Sequence, residues 1–424
     1  MYANFRRRLL VAGITAVVTF PVFANTSERS LRIDHFERLQ TQEHLSVDVS
    51  ERSGSDKYQT LQFHAYGRDY QLRLEPNTRL SAAATISSIG LFRGVVAGAA
   101  DSWARISVTS GATRGMFWDG RDLYLVDSAR ILDDARASGL AASDTVIFRL
   151  SDALDSRSES SGKAQFSGGA VYRTALDRMS QVDASRMSAG YRLDISALGD
   201  AAFRARFSSD AEAQEEILTR LNNVDGIFSS QLGVEIQVSS VTAGAAATPG
   251  VSDVTDASAL LRQLGGLRLQ QSGLSGEAIT FLFTGRELDG DKVGLAYTRT
   301  LCSPQFSAGL AQASVNSGLD SLIAAHEIAH ILGAPHDGEK QCAGVPKSHF
   351  LMTPALISSE SVFSSCSIAS MRPQIQRGSC VVALDDSHQA VDRRLAVAES
   401  DLTDPAAVVL TPASAQANQF PDRE

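Results

Sequence analysis

Apolar and polar positions alternate through the first third of the chain, which is the period of strands that bury one face. Residues 61–65 and 70–74 alternate on either side of a Gly67-Arg68-Asp69 turn, so they predict a hairpin. Asp119-Gly120 is a tight-turn signal between two further apolar segments. We therefore predict a β-rich domain over residues 25–155.

The hydrophobic period changes after residue 188, where helical spacing begins to interleave with strand alternation. In chain order the pattern predicts a strand at 191–196, a helix capped by Asp210, a strand at 234–238, a helix at 257–269 and a strand at 278–283. Helices interleaved with strands are typical of an α/β (α+β) architecture. We predict one such domain over residues 189–382.

Two segments have the composition of linkers rather than of packed domains. Residues 156–188 are rich in Ser, Gly and Ala and carry Arg and Lys, so we interpret them as a linker and processing region. Residues 383–424 are rich in Ala, Pro and acidic residues, and we expect this tail to be disordered.

The first 24 residues have the organisation of a signal peptide. Arg6-Arg7-Arg8 precede an apolar run, and Val22 and Ala24 supply the small residues of a signal-peptidase site. The apolar run covers residues 9–23, whereas a membrane-spanning helix needs roughly twenty residues, so a membrane anchor is the weaker interpretation. We predict an exported protein, periplasmic or extracellular, whose mature form has no membrane span.

Composition narrows the possible partners. The chain is 43% hydrophobic and 21% charged, with a formal net charge of −9, which argues against a nucleic-acid-binding surface.

All four cysteines lie at position 302 or later, and an even number in an exported chain favours disulfides. Three pairings are possible. Free buried thiols remain an alternative, while a cysteine zinc site is disfavoured because no Cys-x-x-Cys pair occurs.

The sequence HEIAHILGAPHD, residues 326–337, carries the candidate chemistry. His326 and His330 are four residues apart, so on a helix begun at Asp320 or Ser321 their imidazoles share one face. Gly333 can end that helix and turn the chain back toward a third ligand, His336. Three imidazoles with one open position describe a catalytic zinc site, in which Glu327 reaches the metal-activated water without binding the metal. The alternative, a surface helix with satisfied histidines, does not explain Gly333 and His336 at these offsets.

The extended pattern resembles that of the metzincin zinc endopeptidases. Met352, in Leu351-Met352-Thr353-Pro354, fits the methionine turn that these enzymes place beneath the zinc, and Asp337 resembles the adamalysin or reprolysin branch, which includes the ADAM and snake-venom metalloproteinases. The resemblance covers about residues 190–382. It is carried further by Phe283-Thr284-Gly285, Gly294-Leu295-Ala296-Tyr297, Cys302-Ser303-Pro304 and Phe363-Ser364-Ser365-Cys366-Ser367. More weakly, residues 25–155 resemble reprolysin propeptides.

The resemblance implies a metzincin fold, with a mixed, mostly parallel sheet and an active-site helix preceded by a β-rich pro-domain. It also implies disulfides Cys302–Cys380 and Cys342–Cys366, and an Asp337 carboxylate bonded to the backbone of the methionine turn. Substrate would lie extended along an edge strand near residues 293–298. Relatives bind calcium through an acidic residue of the first strand, which Asp194 matches, but the other ligands do not align, so calcium is possible but not supported.

We therefore predict a secreted zinc endopeptidase that acts on protein or peptide substrates, with Glu327 as general base. No cysteine precedes position 302, so a cysteine cannot cap the zinc from the pro-segment, and we expect the pro-segment to inhibit by occupying the cleft. The main alternative is a catalytically silent exported adhesion or binding protein on the same scaffold. A metallohydrolase acting on other substrates is a further one. The oligomeric state stays open.

Overall fold

A computed structural model describes residues 31–39, 59–81, 89–99, 101–109, 112–132, 139–155, 190–290, 292–348, 350–354 and 361–384. The predicted signal peptide and linker, and the predicted tail apart from its first two residues, lie outside these ranges. Among the described helices, none is both long enough and apolar enough to cross a bilayer.

The N-terminal region is built from antiparallel strands. In chain order they are β1 (Leu31–Ile33), β2 (Glu37–Arg38), β3 (Gln59–Ala65), β4 (Arg68–Pro76), β5 (Gly90–Val96), β6 (Trp103–Val108), β7 (Thr113–Trp118), β8 (Leu123–Ser128), β9 (Thr145–Arg149) and β10 (Ala153–Asp155), with a one-turn helix α1 (Thr78–Ser81) after β4. Strands β2 to β9 form one sheet in the order β2-β9-β8-β7-β6-β5-β4-β3, and β1 pairs with β10. The hairpin predicted around Gly67 is present as β3 and β4.

This sheet curls so that both of its faces are buried. The rings of Phe63 on β3 and Phe117 on β7 lie 5.7 Å apart, although three strands separate β3 from β7 in the sheet. The edges approach each other where the Tyr66 amide donates to the Glu37 carboxylate at 2.9 Å. The concave face therefore holds its own aromatic core, while the convex face packs against the C-terminal region.

The C-terminal region has the predicted mixed α/β content. Its elements are β11 (Tyr191–Gly199), α2 (Ala201–Arg204), α3 (Asp210–Leu232), β12 (Val234–Ala243), α4 (Ala257–Gln270), α5 (Ser272–Ser275), β13 (Ile279–Thr284), β14 (Gly294–Ala296), β15 (Ala308–Gln312), α6 (Ser317–Ile331), α7 (Ser365–Arg377) and β16 (Val382–Ala383). The sheet order is β12-β11-β13-β15-β14, with β16 beside β11. Strand β11 is parallel to β12 and β13, and β13 to β15, whereas β14 and β16 run antiparallel to their neighbours.

Two helix starts differ from the sequence predictions. Helix α3 is capped by Ser209, whose hydroxyl accepts from the Glu212 amide, and Asp210 is its first residue instead of its cap. Helix α6 begins at Ser317 instead of at Asp320 or Ser321, because the Asn316 side chain caps it one turn earlier by accepting from the Leu319 amide. Asp320 lies in the first turn of α6, where it accepts from a buried arginine of α3.

Two disulfides close the C-terminal part, and they join Cys302 to Cys380 and Cys342 to Cys366, the pairs that the resemblance implies. The first ties the loop after β14 to the segment before β16. The second ties the loop that follows His336 to the first turn of α7. Both loops border the histidine cluster described below.

Candidate metal centre

Helix α6 carries two of the three predicted ligands, His326 and His330, one turn apart near its C-terminus. The helix ends at Ile331, and Gly333 has a φ of +107°, a conformation that residues with side chains rarely adopt. The chain reverses there and returns with His336. The ligand atoms of the three histidines lie within 4.8 Å of one another, so the structure brings the predicted set together.

The backbone hydrogen bonds of His326 and His330 leave the Nε2 atom of each ring free to bind a metal. His326 Nδ1 lies 2.6 Å from the Leu351 carbonyl oxygen, and His330 Nδ1 lies 2.8 Å from that of Ala334, so Nδ1–H donates and Nε2 keeps a free lone pair. The Nε2 atoms of His330 and His336 are 3.2 Å apart. Two ligands of a tetrahedral zinc ion, each at roughly 2.0–2.1 Å, stand about 3.3 Å apart, so the spacing of this pair fits zinc.

The protonation of the cluster suits metal binding. Burial and the neighbouring His330 lower the pKa of His326 to about 3. Burial lowers the pKa of His330 to about 4. Both imidazoles are therefore neutral at pH 7 and can act as ligands.

The loop that follows β14 caps the C-terminal carbonyls of α6. This loop lies outside both the histidine motif and the helix. The Arg299 amide donates to the His330 carbonyl at 2.8 Å, and the amides of Thr300 and Leu301 donate to that of Ile331. The φ of Arg299 is +60°, and Cys302 follows at +65°, anchored by its disulfide. These donors satisfy carbonyls that a helix end leaves without partners. No residue pattern predicts this contact, because backbone amides carry no residue identity.

Met352 is fully buried in a turn closed by the Thr353 amide on the Phe350 carbonyl. The expectation that the Asp337 carboxylate bonds this turn is wrong. It is the Asp337 backbone amide that donates to the Met352 carbonyl, at 2.8 Å. The Asp337 carboxylate accepts from Ser364 and Ser367 at the start of α7 instead, because α7 brings two hydroxyl donors to the buried side chain.

Glu327 lies beside the edge strand β14. A Cβ atom built on Gly294 would lie 2.6 Å from Glu327 Oε1, so only a glycine leaves room for this carboxylate against the strand. Burial raises the pKa of Glu327 to about 8, and a divalent cation nearby would lower it again. Gly294 belongs to one of the segments that carry the family resemblance, and its role in seating Glu327 is visible only in the structure.

Asp194, the candidate calcium ligand, is paired with the neighbouring Arg192. Its carboxylate oxygens accept from Arg192 at 2.8 and 3.2 Å. This side chain is part of the β11 surface and lies on a different element from the histidines.

Comparison with known proteins agrees with this geometry. Residues 190–366 match the family model Reprolysin_5, metallo-peptidase family M12. The chain carries a reprolysin-type domain of metallopeptidase family M12. The match spans β11 to the start of α7 and includes the three histidines and Glu327.

Two relatives of the reprolysin-type domain come from snake venoms. The chain is 40% identical over 98 residues to snake venom metalloproteinase Ac1 of Deinagkistrodon acutus, which is 23% of this chain and 48% of that protein. It is 42% identical over 89 residues to snake venom metalloproteinase TM-1 of Protobothrops mucrosquamatus, which is 20% of this chain and 43% of that protein. The chain thus spans about half the length of the curated relatives it matches.

Proposed function

We propose that this chain is an exported zinc-dependent endopeptidase that hydrolyses peptide bonds of proteins. The observation that carries the proposal is the meeting of three imidazoles with the buried Glu327 carboxylate beside an edge strand. Membership of a metallopeptidase family supports it. The domain limits stay as predicted: signal peptide 1–24, pro-domain 25–155, linker 156–188, peptidase domain 189–382 and tail 383–424.

His326, His330 and His336 would hold the ion, and Met352 would form the floor beneath them. When bound, zinc polarises the scissile carbonyl and makes water easier to deprotonate. The carbonyls of Leu351 and Ala334 hold two of the imidazoles in the orientation that exposes Nε2.

Glu327 acts as general base and then as general acid. Its carboxylate takes a proton from the attacking water as the water oxygen bonds to the scissile carbon. It passes that proton to the leaving nitrogen as the C–N bond breaks. The buried position of Glu327 keeps bulk water from competing for the proton.

Substrate backbone would pair with β14, the last strand in the sheet order. An extended peptide adds to such an edge through main-chain hydrogen bonds, which do not depend on the identity of its side chains. Gly294 lies at the start of this strand, so the pairing would bring a scissile bond next to Glu327.

Export is supported by the two disulfides, since they persist in oxidising compartments. Latency through the chain's own pro-segment belongs to the proposal as well. The strands of residues 31–155 pack against α3 and the first turn of α6, so occupation of the cleft would fall to other residues of the pro-segment.

The test compares wild type, Glu327→Ala and Glu277→Ala against a mixed peptide library, with zinc content measured for each. Glu277 bonds Ser239 on the surface and serves as a matched control. We expect stoichiometric zinc in all three proteins and cleavage by wild type and Glu277→Ala alone. If wild type holds zinc but cleaves no peptide, the chain is a binding protein on this scaffold. If folded wild type binds no zinc, the metal centre itself is wrong.

A further inference from the structure

The convex face of the N-terminal sheet and the helices α3 and α6 share one continuous core. Trp103 on β6 lies against α3 so closely that a Cβ built on Gly226 would be 2.4 Å from its ring. Leu125 on β8 lies against α6, where a Cβ built on Gly318 would be 2.3 Å from its methyl group. Two helical glycines are therefore needed for the sheet to approach these helices.

Charged groups cross the same interface and are paired there. Asp225 of α3 is fully buried, and its carboxylate accepts from Arg105 of β6 at 2.8 Å and from Arg79 of α1 at 3.1 Å. Asn77 donates to the same oxygen at 3.2 Å and to Asn222 at 2.9 Å. Loss of the sheet would leave the Asp225 carboxylate without these partners.

A second buried network runs from the sheet to the zinc-binding helix. Glu216 of α3 pairs with Arg114 and Arg130 of the sheet region and with Arg220 of its own helix. Arg220 in turn donates to Asp320, in the first turn of α6, at 2.9 and 3.0 Å. The side chains of Glu216, Arg220 and Asp320 are at most 2% exposed. Glu216 and Asp320 carry two negative charges against the single positive charge of Arg220, so without the arginines of the sheet this buried group has excess negative charge.

The sheet also supplies a carboxylate to the start of α6. Asp127 of β8 accepts from the Ser317 hydroxyl at 3.0 Å and, at 3.4 Å, from the Ser317 amide. A negative charge at this end stabilises a helix through its free amides and dipole. With a rise of 1.5 Å per residue, His326 lies about 13 Å further along the helix, so the sheet holds α6 at the end opposite the histidines.

We propose that residues 31–155 stay bound to the peptidase domain after any cut in residues 156–188, as a permanent structural subunit that holds the N-terminal half of the zinc-binding helix. The importance of α6 in this inference rests on the proposed function, in which this helix carries two of the zinc ligands. The interface has the apolar core of an obligate contact, and the charges buried in it are paired across it. His326 and His330 have their hydrogen-bond partners in Leu351 and Ala334, and His336 lies 3.6 Å from the Glu339 carboxylate, so these contacts of the histidines come from the C-terminal region and not from this subunit.

The test begins with a recognition site for a sequence-specific protease, inserted between Gly162 and Lys163 of the full chain. The Glu327→Ala background prevents self-digestion. After cutting, we expect two fragments under denaturing conditions but one native peak with the mass of the uncut protein, at low salt and at about 1 M salt, where exposed ion pairs are screened. Separate elution of the two fragments would overturn the proposal.

Matched variants locate the contact. Gly226→Ala pushes a methyl group into Trp103, whereas Gly266→Ala, on α4, meets no atom within 4 Å. We expect the cut Gly266→Ala complex to behave as wild type and the cut Gly226→Ala complex to separate at a clearly lower urea concentration. If Gly226→Ala does not fold, Arg105→Met weakens the same interface from the sheet side. Equal urea resistance of the interface variant and Gly266→Ala would overturn the proposal.

Hydrogen exchange tests the support given to α6. Amides of residues 319–325 should exchange faster in the cut interface variant than in cut Gly266→Ala, and equal rates would refute the supporting role. In the background that keeps Glu327, peptide cleavage should be found in the native peak that contains both fragments. Cleavage confined to a free C-terminal fragment would contradict the proposal, whereas absence of all cleavage would count against the peptidase function and leave the elution result unchanged.

Discussion

Gly294 on β14 and Glu327 on α6 approach each other so closely that a Cβ on the glycine would stand 2.6 Å from the Glu327 carboxylate oxygen and 2.8 Å from its Cγ. The strand that ends the sheet order and the proposed general base are therefore fitted to each other. The absence of a side chain at one position sets the place of the carboxylate at the other.

Gly294→Ala should lower peptide cleavage by roughly 10- to 100-fold, because a displacement of about 1 Å in a catalytic group costs up to that much. Zinc content should be unchanged, since the three atoms nearest to a Cβ at this position all belong to Glu327 and none to a histidine. Steady-state kinetics and metal analysis measure both quantities. Gly266→Ala is the control, and equal activity of the two variants would show that Glu327 tolerates the shift.

The sequence predicted the histidines and Glu327 because their spacing in one helix and the following turn is a local property. Gly294 and the Arg299–Leu301 loop are distant in sequence from the motif and act through an absent side chain and through backbone amides. Contacts of these two kinds cannot be predicted from the spacing of residue types along the chain. Their roles appear only when β14 and its following loop are packed against α6.

Removal of zinc should lower thermal stability as well as activity. A ligand present at about a thousandfold excess over its Kd stabilises the folded state by roughly 4 kcal/mol, which corresponds to roughly 10 °C in Tm for a domain of this size. Differential scanning fluorimetry with a chelator and with added zinc measures the shift. His336→Ala should abolish it, while His64→Ala, an exposed residue paired with Asp69, should retain it. A zinc-dependent shift that survives His336→Ala would remove this residue from the ligand set.

Arg268 should matter for stability far more than an ordinary arginine of a helix. It is fully buried, and its guanidinium donates to the carbonyls of Leu274, Glu277 and Ser303 and to the Thr280 hydroxyl. Arg268→Lys cannot reproduce this fork and leaves buried acceptors unpaired, so we expect a loss of about 3 kcal/mol in the free energy of unfolding. Urea unfolding beside the exposed Arg262→Lys tests it. A difference below about 1 kcal/mol between the two variants would contradict the expectation.

The contact between the sheet and α3 should resist mild acid and fail in strong acid. Burial alone would raise the pKa of Asp225, but Arg79 and Arg105 and the Ile236 amide outweigh it and hold that pKa below its ordinary value. Asn77 donates to the same carboxylate, and Glu235 of β12 pairs with Arg79. Because the folded pKa is depressed, the stabilisation is complete above the unfolded value of about 4 and is lost as pH falls through the folded value.

The cut complex should therefore elute as one species at pH 5 and separate progressively below about pH 4. Asp225→Asn should weaken the complex at pH 7 and reduce its response to acid. Native elution across this pH range measures both effects. An identical acid response in wild type and Asp225→Asn would assign it to other carboxylates.

Helix α3 shows why the packing of the two regions was beyond sequence reasoning. Ile217, Leu218, Leu221 and Val224 gave a helical stripe, and that helix exists. Glu216 and Asp225 belong to the polar residues of this helix, which have the pattern of a solvated face. Here both are buried, and charged partners of both come from earlier in the chain. One sequence reports which residues are polar but not which charged partners from another region will meet them.

The shared core of the sheet and α3 changes what maturation of this protein means. A cut between the two regions severs one covalent connection and leaves the packed interior whole. The mature molecule would be a heterodimer encoded by one gene, with two bands on a denaturing gel and a single native mass. Its size judged from the band of the C-terminal fragment alone would be too small, and a recombinant protein begun at residue 190 would lack the sheet against which α3 packs.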